Sequence, residues 1–270
     1  MSTFMAALAD AWDLYAGHRA RFTDLLMSSA TGGRLCLLGA GQCNDVDLDK
    51  LAAQYSAIHL VDIDRAALLA AVSRQTPAVQ ALLHVHAPID LSGFENRLKR
   101  WKRVAPTAHD IASTSSSAIA AVAGLGGPYD LVASACVLTQ MSFSARDALG
   151  DGHPMLGPLR VSLVRTHLAM LLGLTAPGGT ALLASDLTSS NAFPLADVRP
   201  DQNLFDVMGD IVEKGAFYHA ANPNLIEEIV QADPVLQAMG GDAELLEPWL
   251  WTGAFERTYF VYALRFRRRG

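Results

Sequence analysis

The sequence predicts an α/β protein: a doubly wound, mostly parallel sheet with helices on both faces and an antiparallel hairpin at its C-terminal end. Three observations predict it. Apolar runs of strand length, residues 35–38 and 58–63, alternate with stretches of helical periodicity, as in a buried parallel sheet. The first run breaks at Gly39-Ala40-Gly41, a turn whose glycines let a ligand come close to the backbone because no Cβ intervenes. The chain closes on two runs rich in β-formers, residues 245–252 and 257–266, joined by Gly253-Ala254-Phe255-Glu256.

Each element follows from its local pattern. Phe4, Leu8, Ala11, Trp12, Tyr15, Phe22, Leu25 and Leu26 recur mostly three and four apart, so residues 4–30 read as helix, divisible at Gly17. Residues 1–33 thus form an N-terminal helical cap. Residues 45–54 and 65–73 are helices, the second limited by Pro77. The third strand covers residues 82–89 and ends in Asp90-Leu91-Ser92-Gly93; residues 94–103 are a charged amphipathic helix. The serine run 113–117 is expected to be the most mobile place in the first half, and residues 142–158 to be a loop. Between these two, residues 129–141 supply the fourth strand. Residues 159–174 form a helix with an apolar stripe of Val161, Val164, Leu168, Leu171 and Leu172. Ala176-Pro177-Gly178-Gly179 then turns the chain into a strand over 180–185. Residues 204–212 and 225–232 are helices, the second with Asn222 as cap and Pro223 in its first turn.

The stretch 34–64 carries the first chemistry. Asp62 stands near the end of the second apolar run, 21 residues after Gly41, and a carboxylate there suits the two hydroxyls of a ribose. A dinucleotide site asks for Gly-x-Gly-x-x-Gly, and the third glycine position is Asn44. Asp45 and Asp47 place negative charge where a pyrophosphate would meet helix amides. A cofactor without phosphate suits this turn better.

Leu37-Leu38-Gly39-Ala40-Gly41, followed by Val61-Asp62-Ile63-Asp64 and Leu68, resembles motif I of the class I S-adenosylmethionine (SAM)-dependent methyltransferases. Tyr129-Asp130-Leu131-Val132, running on to Val137-Leu138, resembles motif IV of that family, without the Asn/Asp-Pro-Pro-aromatic tetrapeptide of its amino-directed members. A helix, then Pro177-Gly178-Gly179, then an apolar strand is similar to the family's approach to its fifth strand. The resemblance spans roughly residues 34–185 and about the last 25. It implies a seven-stranded sheet, a methyltransferase-like domain over 34–270 with 187–240 as a substrate-side insertion, SAM as cofactor, and methyl transfer to a small or medium nucleophile. It also implies site residues. Gly39, Ala40 and Gly41 would admit the amino-acid end of the cofactor, and Asp62 and Ile63 would meet the ribose. Asp90 and Leu91 would meet the adenine, and Ala135 and Cys136 would line the methyl-donor end. Asp90 has a second reading as a helix N-cap.

Catalytic candidates are sparse. His153 can serve as a base from its loop, and Tyr218 and His219 can face substrate from the 187–240 segment; each has a plainer reading as a loop or packing residue. Trp12 and Tyr15 either line a pocket or pack on the core. His167 beside its helical stripe reads as a packing residue, and Cys136 as a small buried cysteine. His84 and His86 alternate along a strand without a third ligand at useful spacing, so no metal is expected.

Composition narrows the partners. Hydrophobic residues make up 51% of the 270 and charged residues 18%, enough for a large core. The net charge of −6 argues against a nucleic-acid surface. The basic clusters 99–103 and 265–269 read as a solvated helix face and a charged chain end. Three cysteines without a CxxC pair, and no secretory signal, fit the cytoplasm. No run reaches the ~18 apolar residues of a membrane span. The expected partner is a small-molecule acceptor. Two alternatives stand beside methyl transfer: an NAD-dependent oxidoreductase, and a non-catalytic nucleotide-binding or scaffold protein on the same fold.

Overall fold

The computed structural model describes residues 12–29, 32–240, 242–253 and 257–270. Its strands are β1 (Arg34–Leu38), β2 (Ala57–Val61), β3 (Leu83–His86), β4 (Tyr129–Ala135), β5 (Thr175–Ser189), β6 (Ala243–Thr252) and β7 (Thr258–Arg267). They form one sheet in the order β3-β2-β1-β4-β5-β7-β6. The first five run parallel, and β7 lies antiparallel between β5 and β6. This is the seven-stranded, doubly wound sheet with a terminal hairpin that the sequence predicts.

The strands are apolar on both sides because both faces are covered. Leu35 and Leu37 pack under α1 (Ala16–Ser29), α2 (Leu48–Ala52), α3 (Arg65–Ser73) and α4 (Pro77–Gln80). Cys36 and Leu38 face the opposite layer: α5 (Leu98–Trp101), α6 (Ala108–Val122), α7 (Val137–Leu149), α8 (Leu156–Leu174), α9 (Leu204–Glu213), α10 (Pro223–Ala232) and α11 (Pro234–Gly240). A leucine sealed in either layer, such as Leu35 or Leu38, contributes about 1.5–3 kcal/mol relative to leaving it in water.

Several expectations change. Phe4, Leu8 and Ala11 lie outside the described residues, and the described N-terminal helix starts only at Ala16 after a single 3-10 turn. The serine run lies within α6, a continuous helix. Thr107 and Asp110 form a capping box that starts it, Ile111, Thr114, Ala118 and Val122 bury one face, and the Ser113 and Ser117 hydroxyls donate to backbone carbonyls. Most of the expected 142–158 loop is also helix, because Leu138, Met141, Ala145 and Ala148 make a buried stripe that carries α7 to Leu149. In α8, Val161 is exposed and Leu159 and Leu163 are buried instead. His167 sits in the core with its Nε2 2.7 Å from the Ser134 hydroxyl. The terminal arginines are engaged: Arg265 pairs with Glu244, and Arg269 with Asp242. Among the described residues no helix is long and apolar enough to cross a membrane.

His84 and His86 gain a third histidine, His59, across the β2–β3 pairing. His59 Nε2 lies 3.3 Å from the Arg34 guanidinium, which can only donate, so the ring proton sits on Nδ1 and is given to His86 Nε2 at 2.8 Å. The His84 ring stacks on His59 at 4.5 Å. No group of three or more His, Cys, Asp or Glu among the described residues can hold a metal ion. Burial, then His84, His86 and Arg34, push the His59 pKa down to about 4. In the unfolded chain a histidine titrates near 6.5, so the unfolded state binds protons first. The stability His59 confers is therefore complete above about pH 6.5 and is lost as pH falls toward 4. Urea midpoints measured across this window should fall more steeply for the wild type than for His59→Gln.

Candidate functional site

The order of the strands reverses between β1 and β4, the switch point at which open α/β sheets bind ligands in a crevice beyond the C-terminal strand ends. The turn after β1 forms its floor. The Gly39 and Ala40 amides both donate to the Val61 carbonyl, at 2.8 and 3.1 Å, which fastens the turn to the end of β2. Gly39 has φ +76°, and a Cβ there would stand 2.5 Å from the Val137 Cβ at the start of α7. Glycine is required at this position by packing as well as by conformation. Gly41 has φ +49°, and a Cβ there would come no nearer than 4.0 Å to an Asp62 carboxylate oxygen, so it borders open space.

Asp62 faces this turn. Its Oδ2 accepts the Gly41 N–H and its Oδ1 the Asp64 N–H, each at 2.8 Å. Burial raises its pKa, and these two hydrogen bonds offset part of the rise. The Ile63 N–H also bonds the carboxylate, which still has capacity for a further donor. Ile63 beside it is 45% exposed, an apolar surface at the lip of the crevice. The first turn of α2 is already served: Asp47 caps it by accepting the Lys50 N–H at 3.2 Å.

Asp90 closes the adjoining loop. Its Oδ1 accepts from the Ser92 and Gly93 amides and the Ser92 hydroxyl, and its Oδ2 accepts the Glu95 N–H at 3.0 Å. The loop-capping role is therefore present, and Oδ2 is the oxygen with room for another donor. Leu91 is buried beneath it. Ala135 ends β4, and Cys136 follows in the left-handed region, φ +53°, with its N–H given to Ala184 at 3.0 Å. Burial pushes its thiol well above the ordinary value.

β5 does not stop where β4 does. It runs on to Ser189, paired with β7 through Asp186 opposite Val261 and Ser189 opposite Tyr259. Asp186 is two residues past Ala184, so it stands about 7 Å beyond the end of β4, one strand over. The overhang meets α1. His18 Nδ1 accepts the Trp249 indole N–H at 3.1 Å, which leaves its Nε2 to face Asp45 at 3.3 Å. Tyr15 lies against Trp251 with ring centroids 4.6 Å apart, and Trp251 stacks on Tyr259 at 5.1 Å. Tyr15, Asp45, Asp186, Trp251 and Tyr259 are all half-buried. Asp186 Oδ1 and Trp251 Nε1 are sealed from solvent without a hydrogen-bond partner among the described residues. Burial raises Asp186 to about 6, with His18 and hydrogen bonds from Cys136 and Thr139 holding it down and Asp45 pushing it up. Burial, then Asp45 and Asp186, raise the Tyr15 phenol.

Tyr218 reaches this neighbourhood. Its hydroxyl lies 2.7 Å from that of Ser189, and its ring packs edge-on to Phe143. His153 and His219 do not join it. His153 Nδ1 accepts the Met155 N–H just before α8. His219 borders a separate depression of about 440 Å³ with Arg160 and Phe217. A larger groove, about 770 Å³, lies between α9, α10 and the β6 edge, away from the crevice. Trp12 stacks on the Arg19 guanidinium at the exposed start of α1.

His18 and Asp186 are the residues that sequence reasoning missed, and the Asp45 partnership with them. One signal was available: Asp186 interrupts the apolar run 181–187, and a carboxylate inside a buried strand calls for a reason.

No family model matches the chain, and no curated protein does. It is similar in chain path to several solved structures. One comes from work on the conversion of a disulfide bond into a thioacetal group during echinomycin biosynthesis, with 16% identity over 96% of this chain and 85% of that one, at a TM-score of 0.48. Another is the methyltransferase domain of bacterial CtHen1-C, 12% identical over 95% and 100% of the two chains, TM-score 0.49. A third is the O-methyltransferase TomG from Streptomyces achromogenes in complex with SAM, 14% identical over 100% and 82%, TM-score 0.42. At such values the crevice has to be judged on its own residues.

The Gly39 contact gives a direct test of the floor. Gly39→Ala should destabilise the protein by on the order of 2–4 kcal/mol, through the positive φ and the collision with Val137. In a Val137→Ala background the cost of the same change should shrink, leaving the φ strain; a double-mutant cycle in urea measures the difference.

Proposed function

We propose that this chain transfers a methyl group from SAM to a small or medium nucleophilic acceptor. The observation that carries this reading is the Asp62 carboxylate. It is held by the Gly41, Asp64 and Ile63 amides at the end of β2, beside the glycine turn, and keeps acceptor capacity for a further donor. That arrangement matches the vicinal hydroxyls of a ribose. The capped first turn of α2 favours a cofactor without phosphate over NAD, because Asp47 occupies the Lys50 amide and its charge repels a pyrophosphate.

SAM supplies an activated methyl on a positively charged sulfur. The residues of the chain then have three tasks. Asp62, with Ile63, fixes the ribose, and the Asp90 Oδ2 position offers an acceptor to the exocyclic amine of adenine. The turn Gly39-Ala40-Gly41 leaves room for the amino-acid end, and Ala135 and Cys136 form the wall at the methyl-donor end. Tyr15, Trp251 and Tyr259 exclude water above it, so that positioning and desolvation supply much of the rate. The segment 187–240 contributes Tyr218 to the acceptor side.

Calorimetric titration with S-adenosylhomocysteine tests the reading. The wild type should bind it, and NAD should give no heat. Asp62→Ala should weaken binding about tenfold or more, the worth of a charge-assisted hydrogen bond to a diol. A folded wild type silent toward S-adenosylhomocysteine would overturn the proposal, and binding of NAD would favour the oxidoreductase.

A further inference from the structure

The mouth of the crevice holds features that cofactor binding leaves unused. Asp186 Oδ1 wants a donor and Trp251 Nε1 wants an acceptor, and among the described residues neither has one. Both side chains are half-buried: Trp251 lies against the rings of Tyr15, His18 and Tyr259, and Asp186 is near enough to Tyr15 and Tyr259 to help raise their phenols. Buried polar atoms without partners are rare, and two of opposite sense in one aromatic cluster suit a ligand that carries both a donor and an acceptor.

We infer that this cluster is the methyl-acceptor site and that it takes a neutral, planar phenol-type compound, with Asp186 receiving the phenolic proton. The inference rests on the methyl-transfer reading for its chemistry, though not for the binding of the phenol. Flat rings on several sides select a planar acceptor. Asp45 and Asp186 repel carboxylates and phosphates, and the basic side chains around them have partners: His18 faces Asp45, Arg19 lies over Trp12 with its guanidinium on the Asn44 carbonyl, and Arg257 bonds Tyr259. A carboxylate cut off from water on one oxygen binds a proton more strongly than an exposed one. Burial brings Asp186 to about 6, which narrows its gap to a phenol near 10 to about four units. The step balances. The phenolic oxygen forms a bond to the methyl carbon as the carbon–sulfur bond breaks, the bonding pair returns to sulfur, and the proton passes to the Asp186 carboxylate.

The test is binding of para-cresol by calorimetry, with and without S-adenosylhomocysteine, and with benzylamine as a cationic comparator of similar shape. The wild type should bind para-cresol saturably and in preference to benzylamine. Asp186→Asn, which keeps the shape, should weaken para-cresol binding about tenfold while leaving S-adenosylhomocysteine binding unchanged. Trp251→Phe keeps a ring and removes the N–H, and should weaken the phenol several-fold. It serves as the second variant if Asp186→Asn fails to fold. Unchanged phenol affinity in both variants, or a preference for benzylamine, would overturn the inference. Loss of phenol binding with intact S-adenosylhomocysteine binding bears on the acceptor alone, whereas absent S-adenosylhomocysteine binding in a protein that binds the phenol bears on the cofactor alone.

Discussion

One carbonyl holds the crevice in shape. Val61 receives both the Gly39 and the Ala40 amides, so the turn after β1 cannot swing away from the end of β2. That bond pair carries Gly41 to within 2.8 Å of Asp62, which in turn orders Asp64 as the cap of α3. Val137, packed on the missing side chain of Gly39, extends the same constraint to the start of α7 and so to the end of β4. Three strand ends are thereby placed relative to one another by one hydrogen-bonded carbonyl and one close contact, and every polar group on the floor inherits its position from them.

The sheet divides its work along its length. Its lower part is parallel, apolar on both faces and sealed by helices, and it fixes register. Its upper part, where β5 and β7 run past the end of β4, has no parallel neighbour and presents half-buried polar and aromatic groups to α1. Desolvation acts on the two parts in opposite ways. In the lower part it stabilises leucines and valines; in the upper part it raises the proton affinity of Asp186 and Tyr15, which adjoin Asp45 in a setting poor in water.

The legible part of this molecule is the part written in local periodicity. The succession of strands and helices along the chain follows from apolar runs and glycine turns, and β1, β2 and α3 need no information beyond their own residues. Helix α6 is misread because serine has low helix propensity, whereas the Thr107–Asp110 capping box and the Ile111–Val122 stripe outweigh it. Helix α7 is missed because its buried stripe uses alanines, which carry little hydrophobic signal. On the floor, Asp62 and Gly41 are close in sequence terms and can be paired by spacing. On the mouth, His18, Asp45 and Asp186 come from α1, the first turn and β5. Only the register of β5 with β7 and the docking of α1 bring them together, and no spacing rule encodes that.

The three cysteines illustrate what sealing does to chemistry. Cys36, Cys43 and Cys136 are all buried, and burial lifts each thiol, that of Cys43 to about 12. Oxidants, alkylating agents and soft metal ions all act on the thiolate, which is scarce at neutral pH in such surroundings. Cysteine sulfur in this protein therefore serves mainly as volume: three thiols that fill gaps beside a turn, a strand and a helix start, and are chemically quiet toward the redox state of whatever surrounds them.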